Sequence, residues 1–194
     1  KIKMAIASKI RKVLKNINNS NIELTHHSKK LDDVYSMTIL QSLLIDYPYL
    51  PFTASSLRPI CLAYILNEVL INQRKFILEF GMGLSTIMIA RLIEKNKLNV
   101  KIYSVEHNEE WAGIIEDYLN KENLNQFVSI IVTDLKEIDS PLGIIQWYDY
   151  SVVMSKIKEQ KFDLIIVDGP PAYKKSTQFS RGPALFNLRS NFED

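Results

Sequence analysis

The chain has 194 residues, of which 46% are hydrophobic and 24% charged. That suffices for one globular domain with a substantial core, and the mix is ordinary for such a domain. A formal charge of +2 is too near zero to make nucleic acid the default partner. No apolar run reaches the roughly 18 residues that span a bilayer. The chain opens Lys1-Ile2-Lys3, with neither a methionine start nor an apolar signal core. The one cysteine, Cys61, allows no internal disulfide. It sits in an apolar helical pattern and reads as a small buried hydrophobe, which fits a reducing, cytoplasmic setting.

Residues 1–18 read as an amphipathic helix. Ile2, Ile6, Ile10, Val13, Leu14 and Ile17 share one side, and Lys9, Arg11, Lys12 and Lys15 lie mostly on the other. A basic face suits an acidic partner or a membrane surface; a solvated face on a packed helix is the simpler reading. Asn18-Asn19-Ser20-Asn21 reads as a polar break, which leaves His26 and His27 in a surface loop. Being adjacent, they do not share a helix face, and no nearby acid or thiol cluster completes a metal site. Residues 34–45 read as a second helix, and Pro48 and Pro51 hold residues 47–52 extended. Ser56 is the expected cap of the next helix, with Pro59 in its first turn and residues 60–71 behind it.

From Lys75 onward, short apolar runs alternate with helical stretches. Strands are expected at 76–80, 101–106, 127–132 and 162–168. Helices are expected at 85–94, 109–119 and 151–160, with a last helical stretch at 183–192. The strands are nearly continuous in apolar character, as in a sheet covered on both faces. Alternation of this kind means a parallel sheet with right-handed crossovers. The organisation is therefore a helical region, 1–72, packing on an α/β unit, 73–194.

In such sheets ligands bind beyond the carboxyl ends of the strands, and the notable residues lie there. The first strand ends Glu79-Phe80-Gly81-Met82-Gly83-Leu84-Ser85-Thr86. Its glycines permit a tight turn and a close ligand approach, but Thr86 stands where a dinucleotide fingerprint has its third glycine. Glu79 would repel a pyrophosphate and suits the ammonium of a methionine moiety. The second strand ends at Glu106, placed to accept ribose hydroxyls, or else to cap the helix near Asn108. Asp134 follows the third strand, where it can accept the exocyclic amine of adenine or cap a turn. The fourth strand delivers Asp168 into Gly169-Pro170-Pro171, a position for an acceptor-orienting or proton-accepting group, or for a turn residue.

Together EFGMGLST, the VEH around Glu106, and FDLIIVDGPP resemble the first, second and fourth motifs of class I S-adenosylmethionine (SAM)-dependent methyltransferases. The resemblance spans about residues 51–188. PFTASSLRPICLAYILNEV is similar to the lead-in of a bacterial subgroup related to small-molecule and sugar O-methyltransferases. The resemblance implies a Rossmann-like, doubly wound, mostly parallel sheet with an N-terminal helical extension. It implies SAM as cofactor and S-adenosylhomocysteine (SAH) as product. Gly81, Gly83 and Glu79 would hold the methionine end, Glu106 the ribose and Asp134 the adenine, with Ser85, Thr86 and His107 also binding the cofactor. Thr53, Ser55 and Ser56 would line the pocket, and Asp168 would serve the acceptor. Trp147-Tyr148-Asp149 would shape the acceptor site, although Trp147 and Tyr148 also read simply as core aromatics. Lys174, Lys175 and Arg181 would attract an anionic acceptor, or stand as solvated loop charges.

The family sheet has seven strands, and only four are legible here, so the sequence reads as incomplete at its C-terminal side. Residues 172–180 read as a polar loop placed to act as a lid. No metal ligand set is assignable, the acceptor is a small molecule of unidentified structure, and homo-oligomer assembly stays open. Two other readings remain: a non-catalytic nucleoside-binding scaffold, and an NAD-dependent oxidoreductase.

Overall fold

The computed structural model describes residues 2–141, 143–173 and 177–191. Lys174 and Lys175 lie outside the described residues, and of residues 2–11, 13, 187 and 190 only the backbone is described, so the expected apolar and basic faces of the first helix lie largely outside the described side chains.

The N-terminal helix α1 runs unbroken over Ile2–Leu40 and passes into a 3-10 turn at Gln41–Leu43. The expected break at residues 18–21 does not occur, and His26 and His27 stand exposed on the helix rather than in a loop. The first 47 residues hold no Gly or Pro. Asn and Ser each weaken a helix by only about 0.5 kcal/mol, too little to stop one. Near its end the helix buries Ser36 and Leu40 against the rest of the molecule, while Leu14, Ile17, Leu24 and Leu31 are exposed.

Helix α2 spans Pro59–Ile71, with Pro59 as its first residue and Arg58 as its N-cap. Ser56 is not the cap: its Oγ accepts from the Thr53 N–H at 3.0 Å. Cys61 is exposed, because the buried stripe of α2 is Leu62, Ala63, Leu66 and Val69. The apolar pattern around the cysteine concealed which side it takes.

The core sheet contains β1 (Phe76–Phe80), β2 (Lys101–Glu106), β3 (Val128–Val132) and β6 (Leu164–Val167), in the order β3-β2-β1-β6. Every pairing in it is parallel. Helices α3 (Leu84–Asn96) and α4 (Glu109–Lys121) connect the first three strands. The expected strand at 127–132 opens with a 3-10 turn at Asn125–Phe127. The expected strand at 162–168 is shortened to four residues.

Residues 135–148, expected to be irregular, form an antiparallel hairpin of β4 (Leu135–Ser140) and β5 (Gly143–Tyr148). Helix α5 (Tyr150–Ile157) follows, then β6, a short helix α6 (Pro183–Asn187) and a 3-10 turn at Arg189–Asn191. Trp147 and Tyr148 are core aromatics of β5, packed on Phe80 with ring centroids 4.9 and 5.4 Å away.

One core fills the space between the sheet, α2, α3, α4 and the end of α1. A second lies around Phe80, Trp147, Tyr148 and Phe162. Among the described residues, no helix is long and apolar enough to cross a membrane.

Candidate active site

β1 lies between β2 and β6: the chain steps from β1 outward to β2 and β3, then returns to lay β6 on the other side of β1. That divergence opens a crevice at the carboxyl ends of the strands. A cavity of about 410 Å³ occupies this place, lined by Thr53, Gly81, Gly83, Glu106, Asp168 and Arg181 among others.

Gly81 makes the turn out of β1 with φ +94°, a conformation that side chains disfavour. Its N–H donates to the Val105 carbonyl at 2.9 Å. A Cβ at this position would meet the Gly169 backbone nitrogen at 2.6 Å, so the turns after β1 and β6 fit together only without side chains. Gly83 is the opposite case. A Cβ there meets nothing within 4 Å, and the residue borders the cavity.

Glu79 does not reach the cavity. Its carboxylate is fully buried beneath the loop and accepts from Ser85 Oγ and Thr86 Oγ1 at 2.5 Å and from Ser104 Oγ at 2.7 Å. Ser104 is its register partner on β2. Thr86 Oγ1 also accepts from the Gly83 N–H at 3.0 Å, one arm of a capping box. Glu79 thus holds the loop in shape and is not free to meet an ammonium. Burial pushes its carboxyl above the usual range, against the lowering effect of the three hydroxyls. Of its partners, Ser85 borders the cavity and Thr86 does not.

Glu106 ends β2 and borders the cavity. Its Oε1 accepts from the backbone N–H groups of His107 and Asn108, each at 2.8 Å, and its Oε2 from the Met82 N–H at 3.1 Å. His107 Nδ1 stands 2.8 Å from Oε1 but out of line for a directed hydrogen bond, so the contact is electrostatic. Burial works against ionisation of Glu106. The contact with His107 and the two backbone donors outweigh it, and the carboxyl is held below the usual range. The contact with Glu106 in turn holds His107 above its ordinary value, against burial.

Asp168, just beyond β6, is half-buried at the cavity edge. Arg181 Nη1 stands 3.1 Å from its Oδ1, and the same guanidinium donates to the carbonyls of Asp168 and Pro170. Burial raises the Asp168 carboxyl and Arg181 draws it back, leaving it above its ordinary value. Thr53, Ser55 and Ser56 form one wall of the cavity. Asp134 does not join it. The residue is exposed, and its carbonyl is tied to the Asp149 N–H at 3.0 Å as the chain turns into the hairpin.

Trp111 was not singled out from the sequence. Its indole N–H donates to the Met82 carbonyl at 2.7 Å and holds the glycine loop from the side of α4. Its place one turn after Glu106 was the available signal. Among the described residues, no group of three His, Cys, Asp or Glu side chains is placed to hold a metal ion.

Residues 78–181, more than half of the chain, match the family model described as a methyltransferase domain. The chain belongs to that family. The match covers the methyltransferase domain's glycine loop, Glu106, Asp168 and Arg181, and it sets the oxidoreductase reading aside. No curated protein sequence matches the chain.

Among solved structures, the chain is similar to a protein from Staphylococcus aureus provisionally named a caffeoyl-CoA O-methyltransferase. The identity is 15% and the TM-score 0.53, over 84% of this chain and 69% of that one. An O-methyltransferase from Bacillus cereus in complex with SAH is 21% identical, with TM-score 0.48, over 80% of this chain and 58% of that one. The chain therefore spans roughly three fifths to two thirds of these methyltransferase-fold proteins. The first comparison supports the α/β fold with its parallel sheet.

Proposed function

We propose that the chain is the SAM-binding part of a methyltransferase acting on an oxygen, or a nitrogen, of a small-molecule or sugar acceptor. The observation that carries this reading is the pairing, in one cleft, of the ionised Glu106 with a glycine cradle. Gly83 leaves room for a ligand where a side chain would stand. The orphaned hydroxyl of Tyr148 at the cleft also fits a site that receives a polar ligand. SAH and SAM complexes among the similar structures agree in name with this cofactor.

In this reading Gly81, Gly83 and the Thr53–Ser56 wall enclose the methionine end. Glu106 accepts from the ribose. When bound, SAM supplies an already activated methyl group, so the protein mainly orients the acceptor and keeps the site dry. Asp168 orients the acceptor and takes its proton; its raised carboxyl suits that task nearer neutrality than an ordinary Asp would. Arg181 holds Asp168 in place. Glu79 and Thr86 act on the loop from behind, and Ser85 ties to Glu79 while bordering the cavity. The same reading takes residues 1–72 and 73–194 as a helical region and a cofactor-binding unit. It sets the protein in the cytoplasm, without nucleic acid as partner.

Calorimetric titration of SAH into the full-length protein tests this. Binding in the micromolar range, on the order of −8 kcal/mol, is expected. Glu106→Ala should lose about 1.5–3 kcal/mol of it, the worth of a hydrogen bond to a charged group. A folded protein that takes up no SAH would return the chain to the scaffold reading.

A further inference from the structure

Tyr148 closes β5 and packs edge-on against His107, ring centroids 6.1 Å apart. The side chain is fully buried, and its hydroxyl has no hydrogen-bond partner among the described residues. Native chains seldom keep such a group without a use for it. The residue borders the same cleft as Glu106 and Asp168. Its hydroxyl lies against the turn after β6: a Cβ built on Gly169 would stand 2.3 Å from it.

The phenol keeps its proton. Burial disfavours the phenolate, and Glu106 is the foremost of the carboxylates that disfavour it further. The hydroxyl is therefore a donor in want of an acceptor. Glu106, meanwhile, has little acceptor capacity to spare. Its Oε1 already takes two backbone N–H groups and faces His107, and its Oε2 takes the Met82 N–H. A carboxylate has about four lone-pair sites, so Glu106 has room on Oε2 for one ribose hydroxyl and not for two.

We propose that Tyr148 supplies the second contact, its hydroxyl donating to the ribose hydroxyl oxygen that Glu106 does not hold. The assignment rests on the cofactor reading above. One hydroxyl of the ribose donates to Glu106 Oε2, and the neighbouring oxygen accepts from Tyr148. Because the Tyr148 oxygen is shielded from water beside the Gly169 turn, the contact forms as the phenol or that turn shifts when the nucleoside enters.

The test is calorimetry on the full-length protein and on Tyr148→Phe, with SAH and with its 2′-deoxy and 3′-deoxy analogues. Tyr148→Phe should keep or raise the thermal midpoint without ligand, since it removes an unpaired buried polar group. It should bind SAH about 3- to 10-fold more weakly, the worth of a neutral hydrogen bond. The difference between the two proteins should vanish with the analogue that lacks the contacted hydroxyl. Equal SAH affinity in the two proteins overturns the Tyr148 assignment and leaves the cofactor reading standing. A loss that persists undiminished with both analogues overturns it as well. No SAH binding by the unsubstituted protein overturns the cofactor reading and this assignment with it.

Discussion

A methyl group added at Gly81 and one added at Gly83 meet opposite surroundings. At Gly81 it meets backbone at 2.6 Å in a left-handed conformation. Strain and overpacking together should cost about 2 kcal/mol or more, read as a lower denaturation midpoint. At Gly83 it enters open space in the cleft. Gly83→Ala should therefore leave the midpoint in place and weaken SAH binding. The reverse ranking would mean that the cradle is not where the ligand lies. Charge at the same cleft gives a pH signature. His107 is held above its ordinary value by Glu106, so the folded protein binds its proton more tightly than the unfolded chain. The stability it adds is full below about pH 6.5 and is lost as pH rises through the raised value. Unfolding of the native protein followed between pH 6 and 8 should show that decline, and His107→Gln should flatten it.

At the scale of elements, what could be read in the sequence was what repeats locally. Strands β1 and β2 stand at their expected residues, because Phe76, Ile77, Leu78 and Phe80 in the one and Ile102, Tyr103 and Val105 in the other form short apolar-rich runs between turn signals that allow few alternatives. The N-terminal helix runs through the expected break at residues 18–21, because Asn and Ser cost it little there and no Gly or Pro is present to break it. The β4–β5 hairpin escaped because Leu135–Ser140 is half charged and its pairing is set by residues across the turn, such as Lys136 with Trp147 and Ile138 with Ile145. The site follows the same division. Gly81, Glu106 and Asp168 carry their meaning in position at a strand end, and they meet in the cleft. Glu79 and Asp134 have the same kind of position, but their fate was decided by burial and by the following turn. One lies under the loop and the other in solvent. Tyr148 is read from the sequence as shaping the acceptor site or as a core aromatic, but the hairpin that carries it is not, so the burial of its hydroxyl without a partner was not legible.

Across the whole molecule, Arg91 joins the N-terminal segment to helices α3 and α4. It is fully buried in α3, where LSTIMIARLIEKN reads as an apolar helix with one misplaced charge. Its guanidinium grips Glu122 at 2.6 and 2.7 Å and donates to the carbonyls of Leu43 and Pro48 at 2.9 and 3.1 Å. It also lies 4.5 Å from the centre of the Tyr47 ring. The segment it fixes leads directly into Thr53, Ser55, Ser56 and Leu57, a wall of the cleft. Removing one partner of a buried ion pair leaves the other uncompensated and costs about 3–5 kcal/mol. Arg91→Ala should therefore lower the urea midpoint and speed amide exchange over residues 43–58. The same variant should bind SAH more weakly although it touches no cleft residue. Replacing both partners by apolar residues of similar volume, Arg91→Met with Glu122→Leu, removes the unpaired charge and should restore much of the stability. The carbonyls of Leu43 and Pro48 would still lack their donor, so exchange over residues 43–58 should stay fast. If that double variant binds SAH as tightly as the native protein, the cleft wall is held by its own turn around Thr53 and Ser56, not by Arg91. If binding stays weak while stability returns, the ordering of the N-terminal segment is itself part of the cofactor site.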